Sequence, residues 1–219
     1  MEPTTRKVVK RSPAHTVRLL HLPQLQEQPV EADSALERDF VHIAALHSFI
    51  ARIEHQPFKL VWDDASYTPD FLLTFRDQSK LVIEVKPSTK VDKYQELFQR
   101  AEQKLRANGL PFYVATDTRI SASGRPANAL LIRRYAKTMY PLDACQALVE
   151  RVIKVPDGVT VAELCDANAH SLSLLRHVIS KRLLTTQSDL GTQPHSIVST
   201  PHSLKGQSHA LQFSGWFDA

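Results

Sequence analysis

Cysteine is nearly missing from this chain: Cys145 and Cys165 are its only two, far apart and without Cys-x-x-Cys spacing. A disulfide scaffold and a structural zinc are therefore not expected, and a reduced, cytoplasmic setting is. No apolar run approaches the length of a membrane-spanning helix, and the first residues hold no hydrophobic signal core, so neither a span nor export is expected. The ten histidines lack the paired spacing of a ligand set. His170, His177, His195, His202 and His209 are scattered, which points to surface or structural roles. The excess of one sign of charge is also small: the net charge is +4 and the pI about 9.1. That suits an anionic partner without requiring one.

What is present is enough for a folded protein, since 42% of the 219 residues are hydrophobic. A chain of this size holds one large domain or two small ones. Its basic residues are uneven, with Arg6, Lys7, Lys10, Arg11 and Arg18 set against Glu2 near the start. Such an arm either contacts DNA or is a solvated tail.

The most informative stretch runs from Tyr67 to Pro87. Strand side chains repeat every two residues, so Glu84 and Lys86 leave one face of Leu81–Lys86 while Leu81, Ile83 and Val85 leave the other. Phe71–Phe75 is strand-like as well, and Arg76-Asp77-Gln78-Ser79 is a polar turn. A hairpin centred on Asp77 sets Asp70 directly across from Glu84 on the same face. Two opposed carboxylates repel unless a cation lies between them. Hard Mg2+ prefers carboxylate oxygens and leaves positions for water and phosphate; Mn2+ is expected to substitute. Lys86 then stands where it can orient a water and offset charge developing on phosphorus. Glu-x-Lys alone is a common solvated pattern. The Pro-Asp before it, the matched register and the apolar strand around it make the combination a candidate site.

Pro-Asp followed by Glu-x-Lys resembles the PD-(D/E)xK nuclease superfamily. More narrowly, Ser34-Ala-Leu-Glu-Arg-Asp-Phe40, Gln56-Pro57, Tyr67-Thr-Pro-Asp-Phe71 and Leu81-Val-Ile-Glu-Val-Lys-Pro87 resemble the TnsA family, endonuclease subunits of heteromeric cut-and-paste transposases. The likeness covers residues 30 to 120. It implies a Mg2+-dependent DNA endonuclease with catalytic positions at Glu37, Asp70, Glu84 and Lys86, the metal held by Asp70, Glu84 and the carbonyl of Val85. It also implies cleavage of the non-transferred 5′ strands at double-stranded transposon ends beside a TnsB-like transposase. A TnsC-like AAA+ regulator would dock through the C-terminal domain or tail, and the active complex would sit with the bacterial nucleoid. A freestanding nuclease of restriction or repair is the alternative. Glu37 has a second reading, because Ser34 and Glu37 have the spacing of a helix capping box.

The expected fold is α/β, a restriction-endonuclease-like α-β-β-β-α-β core followed by a small winged-helix-like domain. The core elements are helix 37–52, strand 58–63, the 70–86 hairpin, helix 92–108 and strand 111–116. On the second helix, Tyr94, Leu97, Phe98, Ala101 and Leu105 form a core-facing stripe, while Lys93, Arg100, Lys104 and Arg106 are solvated or touch a DNA backbone. The composition break at Thr118–Pro126 divides a basic arm (1–33) and nuclease domain (34–120) from a winged-helix-like domain (127–200) and a tail (201–219). Helices are expected at 142–152, 161–167 and 172–183, with Thr160 and Ser171 as caps. The last would be a recognition helix carrying Arg176, His177, Lys181 and Arg182, approached by His170, without an Asn or Gln placed to read bases. The aromatic end of the tail is expected to be a partner-docking peptide.

Overall fold

The computed structural model describes residues 2–3, 17–165 and 171–219. Most of the basic arm, and His170, lie outside the described residues. Chain order begins with β1 (Glu2–Pro3), β2 (Arg18–Leu20), β3 (Val30–Ala32) and α1 (Ala35–Ala44). There follow β4 (Ile50–His55), β5 (Phe58–Val61), β6 (Ser66–Tyr67), β7 (Phe71–Phe75) and β8 (Lys80–Lys86). Next come α2 (Ser88–Val91), α3 (Gln95–Arg106), β9 (Phe112–Thr116) and α4 (Asp117–Ile120). The second half holds α5 (Arg125–Arg134), α6 (Leu142–Ile153), β10 (Val159–Thr160), α7 (Val161–Leu164), α8 (Leu172–Ser180), β11 (Thr185–Thr186), β12 (Ile197–Ser199) and α9 (His209–Asp218).

The central sheet has the order β4-β7-β8-β9, antiparallel except for the parallel pair β8/β9. With α1 before it and α3 crossing from β8 to β9, this is the α-β-β-β-α-β core of a restriction-endonuclease-like fold. Its first strand, however, is Ile50–His55 and not the expected 58–63. The first helix is correspondingly shorter: it ends at Ala44, and His47-Ser48-Phe49 turns the chain into β4. Phe58–Val61 pairs outside the central sheet, with β1 and β6. Continuous apolar periodicity across Ile43, Leu46 and Ile50 conceals that break, because a strand buried on one side and a helix are hard to separate over so few residues.

The two faces of the sheet are packed differently. Phe71, Leu73, Phe75, Leu81, Ile83 and Val85 join α1 and the whole second half in one continuous core. The opposite face is covered by a smaller cluster, in which Leu72 and Val82 meet Phe98, Ala101 and Leu105 of α3 and Phe58, Leu60 and Tyr67 of the β5/β6 pair. Arg100 binds Asp64 through two hydrogen bonds and lies over Trp62, and Lys104 donates to the Val61 carbonyl. Two of the cations expected on the free face of that helix thus clamp the β5–β6 loop.

The composition break near residue 120 is spanned by α4 and a tight turn that leads into α5. Ser123 and Gly124 take positive φ values of 50° and 72°, Pro126 opens α5, and the buried Arg125 reaches the Phe217 carbonyl at 2.7 Å. Helix α5, which the sequence did not announce, packs on α1 and α8. Thr160 and Ser171 cap α7 and α8 as expected, and α8 ends at Ser180. Strands β10, β12 and β11 form a small antiparallel sheet beside these helices.

The tail does not fit a free docking peptide. Residues 209–218 are a helix with Phe213 and Phe217 fully buried, packed on Phe40 with ring centroids 6.5 Å and 5.6 Å away. Aromatic rings so placed contribute area to this chain's own core and are not available to a partner.

Candidate active site

The hairpin has the register expected of a turn centred on Asp77. Phe71 faces Ile83, Leu72 faces Val82 and Leu73 faces Leu81, and the Phe75 N–H donates to the Ser79 carbonyl at 2.9 Å. Gln78, at φ 66°, closes a three-residue loop in the way such loops close, a tight turn followed by a left-handed residue. Pairing stops at Phe71. Continued, it would set Asp70 against Glu84 and Pro69 against Val85.

Pro69 has no N–H, so it cannot extend the ladder to the Val85 carbonyl. The Val85 N–H instead donates to Asp70 Oδ2 at 2.8 Å. A residue's N–H and C=O point to the same side of a strand, so the Val85 carbonyl is directed toward the opening where Asp70 stands. The proline thus ends the strand pairing and frees a backbone oxygen at the point where the carboxylates gather.

Glu84 is almost wholly buried, at 2% exposure. Tyr67 Oη donates to its Oε2 at 2.5 Å, and Lys86 Nζ lies 2.7 Å from its Oε1. Lys86 also sits over the Tyr94 ring, 5.1 Å from its centroid. Tyr94, expected only to fill the core, is therefore a wall of this site, and Tyr67 is its second unanticipated member. Neither gives a strong sequence signal, because Tyr67 reaches Glu84 from a two-residue strand outside the central sheet and Tyr94 sits in the turn before α3.

The electrostatics are those of crowded acids. Burial first, then the Glu84 charge, push the Asp70 pKa up to about 8, against the Val85 N–H hydrogen bond that favours its charged form. Glu37 adds to the rise and Lys86 opposes it. For Lys86, burial disfavours the ammonium, but the hydrogen bond and charge of Glu84 outweigh it and the pKa is raised. The Tyr67 hydroxyl is raised by burial and the Glu84 charge, so it remains a donor.

The structure brings Asp70, Glu84, Val85 and Lys86 together. Glu37 is engaged differently: its Oε2 accepts from the Asp33 N–H at 2.8 Å and its Oε1 from Ser34 Oγ at 2.7 Å, while its own N–H binds Ser34 Oγ. Ser34 thus caps α1, but the reciprocal half of a capping box is replaced by the Asp33 N–H, and the Glu37 carboxylate acts on Asp70 through its charge. Among the described residues no group of three or more His, Cys, Asp or Glu side chains is placed to hold a metal ion. Asp70, Glu84 and the Val85 carbonyl nevertheless suit a hard divalent cation, which takes one or two carboxylates and keeps its water.

Three of the four basic groups expected on a recognition helix are engaged within the chain. His177 Nδ1 pairs with the Tyr135 carbonyl at 2.8 Å, Arg182 donates to the Ile50 carbonyl at 2.5 Å, and Arg176 binds Thr192 Oγ1. Lys181 is exposed.

No curated protein matches this chain. Residues 26–117 match the family described as TnsA-like endonuclease N terminal, a segment that contains Glu37, Tyr67, Asp70, Glu84, Val85 and Lys86. Sequence match, sheet order and the clustered acids at the hairpin's open end agree, and residues 26–117 are therefore a TnsA-like endonuclease domain.

Proposed function

We propose that this chain is the Mg2+-dependent endonuclease subunit of a heteromeric cut-and-paste transposase, cleaving the non-transferred 5′ strands at transposon ends beside a TnsB-like transposase. The observation that carries the reading is the constellation at the open end of the hairpin: Asp70 bonded to the Val85 N–H, with Glu84 and Lys86 on the adjoining residues of β8. Asp70, Glu84 and the Val85 carbonyl would hold the metal, which supplies a Lewis acid for phosphate and a more acidic water.

Every other part belongs to the protein. Lys86, beside Glu84 and over the Tyr94 ring, is placed to orient the attacking water and meet negative charge on the phosphate. Tyr94 and Glu84 hold its ammonium in place. Glu37 braces the start of α1 and adds negative charge that favours cation uptake at Asp70. In residues 127–200, the order helix, strand, short helix, helix and hairpin supports a winged-helix-like reading. Because Arg176 and His177 of α8 and Arg182 just beyond it are used internally, that unit is read as a surface for assembly, including a TnsC-like AAA+ regulator, more than as a reader of DNA.

The test is cleavage of an end-labelled transposon end by purified chain, transposase and regulator with Mg2+. Asp70→Ala is expected to lower 5′-strand cutting by about a thousandfold or more, leaving the partner's strand cut. A variant that still cuts the 5′ strand removes the assignment, and wild type that nicks any plasmid with Mg2+ alone identifies a freestanding nuclease.

A further inference from the structure

We propose that Tyr67 is a positioning residue for the metal site, its hydroxyl fixing the Glu84 carboxylate through Oε2 so that Oε1, which Lys86 also contacts, is the oxygen presented to the cation. This rests on the metal-dependent reading above and adds a residue outside the Asp70, Glu84, Lys86 set.

Glutamate has a flexible side chain, and Glu84 is buried, so something must choose its orientation. Tyr67 does so at 2.5 Å. A phenol is well suited to the task because its oxygen is placed by a rigid ring with two side-chain torsions. That ring is itself held: Tyr67 pairs with Leu60 in the β5/β6 ladder, and its centroid lies 6.3 Å from Phe98 and 6.5 Å from Phe112. Phe98 comes from α3 and Phe112 from β9, so the seat is built by two elements that come after the hairpin in the chain.

Charge makes the same case. A Lys or Arg at this position would orient Glu84 but neutralise it, opposing the uptake of a cation. Lys86 already offsets part of the Glu84 charge from the Oε1 side, and a neutral hydroxyl on Oε2 orients the carboxylate without adding a second cation. Groups that hold a metal's ligands from behind in this manner commonly govern affinity. Tyr67 and Asp70 also share one short loop, which is pinned to consecutive residues of β8: Tyr67 to Glu84 and Asp70 to Val85. The loop therefore sets the spacing of the two carboxylates, and the tyrosine is one of its two pins.

The test is titration of the full chain with Mn2+ by calorimetry, comparing wild type, Tyr67→Phe and Asp70→Asn. Wild type is expected to bind, Asp70→Asn to lose measurable binding, and Tyr67→Phe to bind roughly 10- to 100-fold more weakly. The metal-free melting temperature of Tyr67→Phe should stay within a few degrees of wild type, and its cleavage deficit should shrink as Mn2+ is raised. Equal Mn2+ affinity in Tyr67→Phe and wild type overturns the positioning role, even if cleavage falls. If wild type itself takes up no Mn2+, or Asp70→Asn binds as well as wild type, the metal-site reading fails and the proposal goes with it. Should Tyr67→Phe not fold, Phe98→Leu loosens the ring's seat while keeping the hydroxyl. It is expected to weaken Mn2+ binding severalfold, and unchanged affinity would count against the proposal.

Discussion

The two ends of one hairpin treat their carboxylates in opposite ways. At the turn, Asp77 accepts from the Ser79 N–H at 3.0 Å and from the His209 N–H at 2.8 Å, which places it at the start of α9. Partial burial pushes its pKa up, but the Ser79 and His209 hydrogen bonds outweigh that and the pKa is lowered. At the open end, Asp70 has one backbone hydrogen bond, a buried setting and Glu84 beside it, and its pKa is raised. A carboxylate whose demand is met from within the protein stabilises the fold. One whose charged form is disfavoured by burial and a neighbouring acid is what the proposed metal would relieve, and the contrast falls along a single pair of strands.

The largest test removes what closes the turn end. Phe213 is fully buried among Phe40, Phe75, His47 and Phe217. Phe213→Ala should cost about 3–5 kcal/mol in denaturant unfolding. Loss of less than about 1 kcal/mol would mean that the helix is peripheral. Deleting residues 203–219 should accordingly destabilise the whole domain, not merely abolish a partner contact.

A smaller effect is expected from acid. Burial first, then the charges of His209 and Arg182, lower the His47 pKa to about 3. The folded state therefore binds fewer protons than the unfolded chain, whose histidines titrate near pH 6.5. The stability His47 contributes is present above that pH and is lost as pH falls from there toward 3, amounting to about 2 kcal/mol by pH 5. Urea midpoints measured between pH 7.5 and 5 should show the decline, and His47→Phe should reduce it. An identical slope in that variant would assign the acid sensitivity elsewhere.

The smallest prediction sharpens the comparison directly. Asp77→Ala removes a cap from α9 and should cost about 1 kcal/mol while leaving cleavage unchanged. Asp70→Asn should cost no stability in metal-free buffer at pH 8 and should abolish cleavage. Melting temperatures and cleavage rates of the two variants, measured side by side, decide the matter, and a destabilised Asp70→Asn would mean that Asp70 is structural as well.

Much of the site was legible because it depends on local periodicity. Alternation along Leu81–Lys86 and a turn at Asp77 were sufficient to place Asp70 opposite Glu84, and the observed pairs keep that register. Tyr67 was not legible as a site residue, since its place beside Glu84 depends on β5, β6 and α3 assembling over the far face. Pro69 was visible as part of a motif, but its consequence, a ladder that ends and a carbonyl that is freed, needed the observed register. In the second half the capping residues Thr160 and Ser171 were readable, as caps are local. Helix α5 and the destination of α9 were not.

By itself, then, the sequence determined the hairpin, its register and the acids at its open end, because strand parity and turn chemistry act between near neighbours. Only the tertiary structure decided that Phe213 and Phe217 complete the core from the far end of the chain and that the buried Arg125 binds the Phe217 carbonyl. It likewise decided that His177 of α8 and Arg182 just after it turn inward and that a tyrosine hydroxyl bonds Glu84. Those outcomes depend on which apolar faces find one another across long stretches of chain, and a polar or aromatic tail reads alike in sequence whether or not a core awaits it.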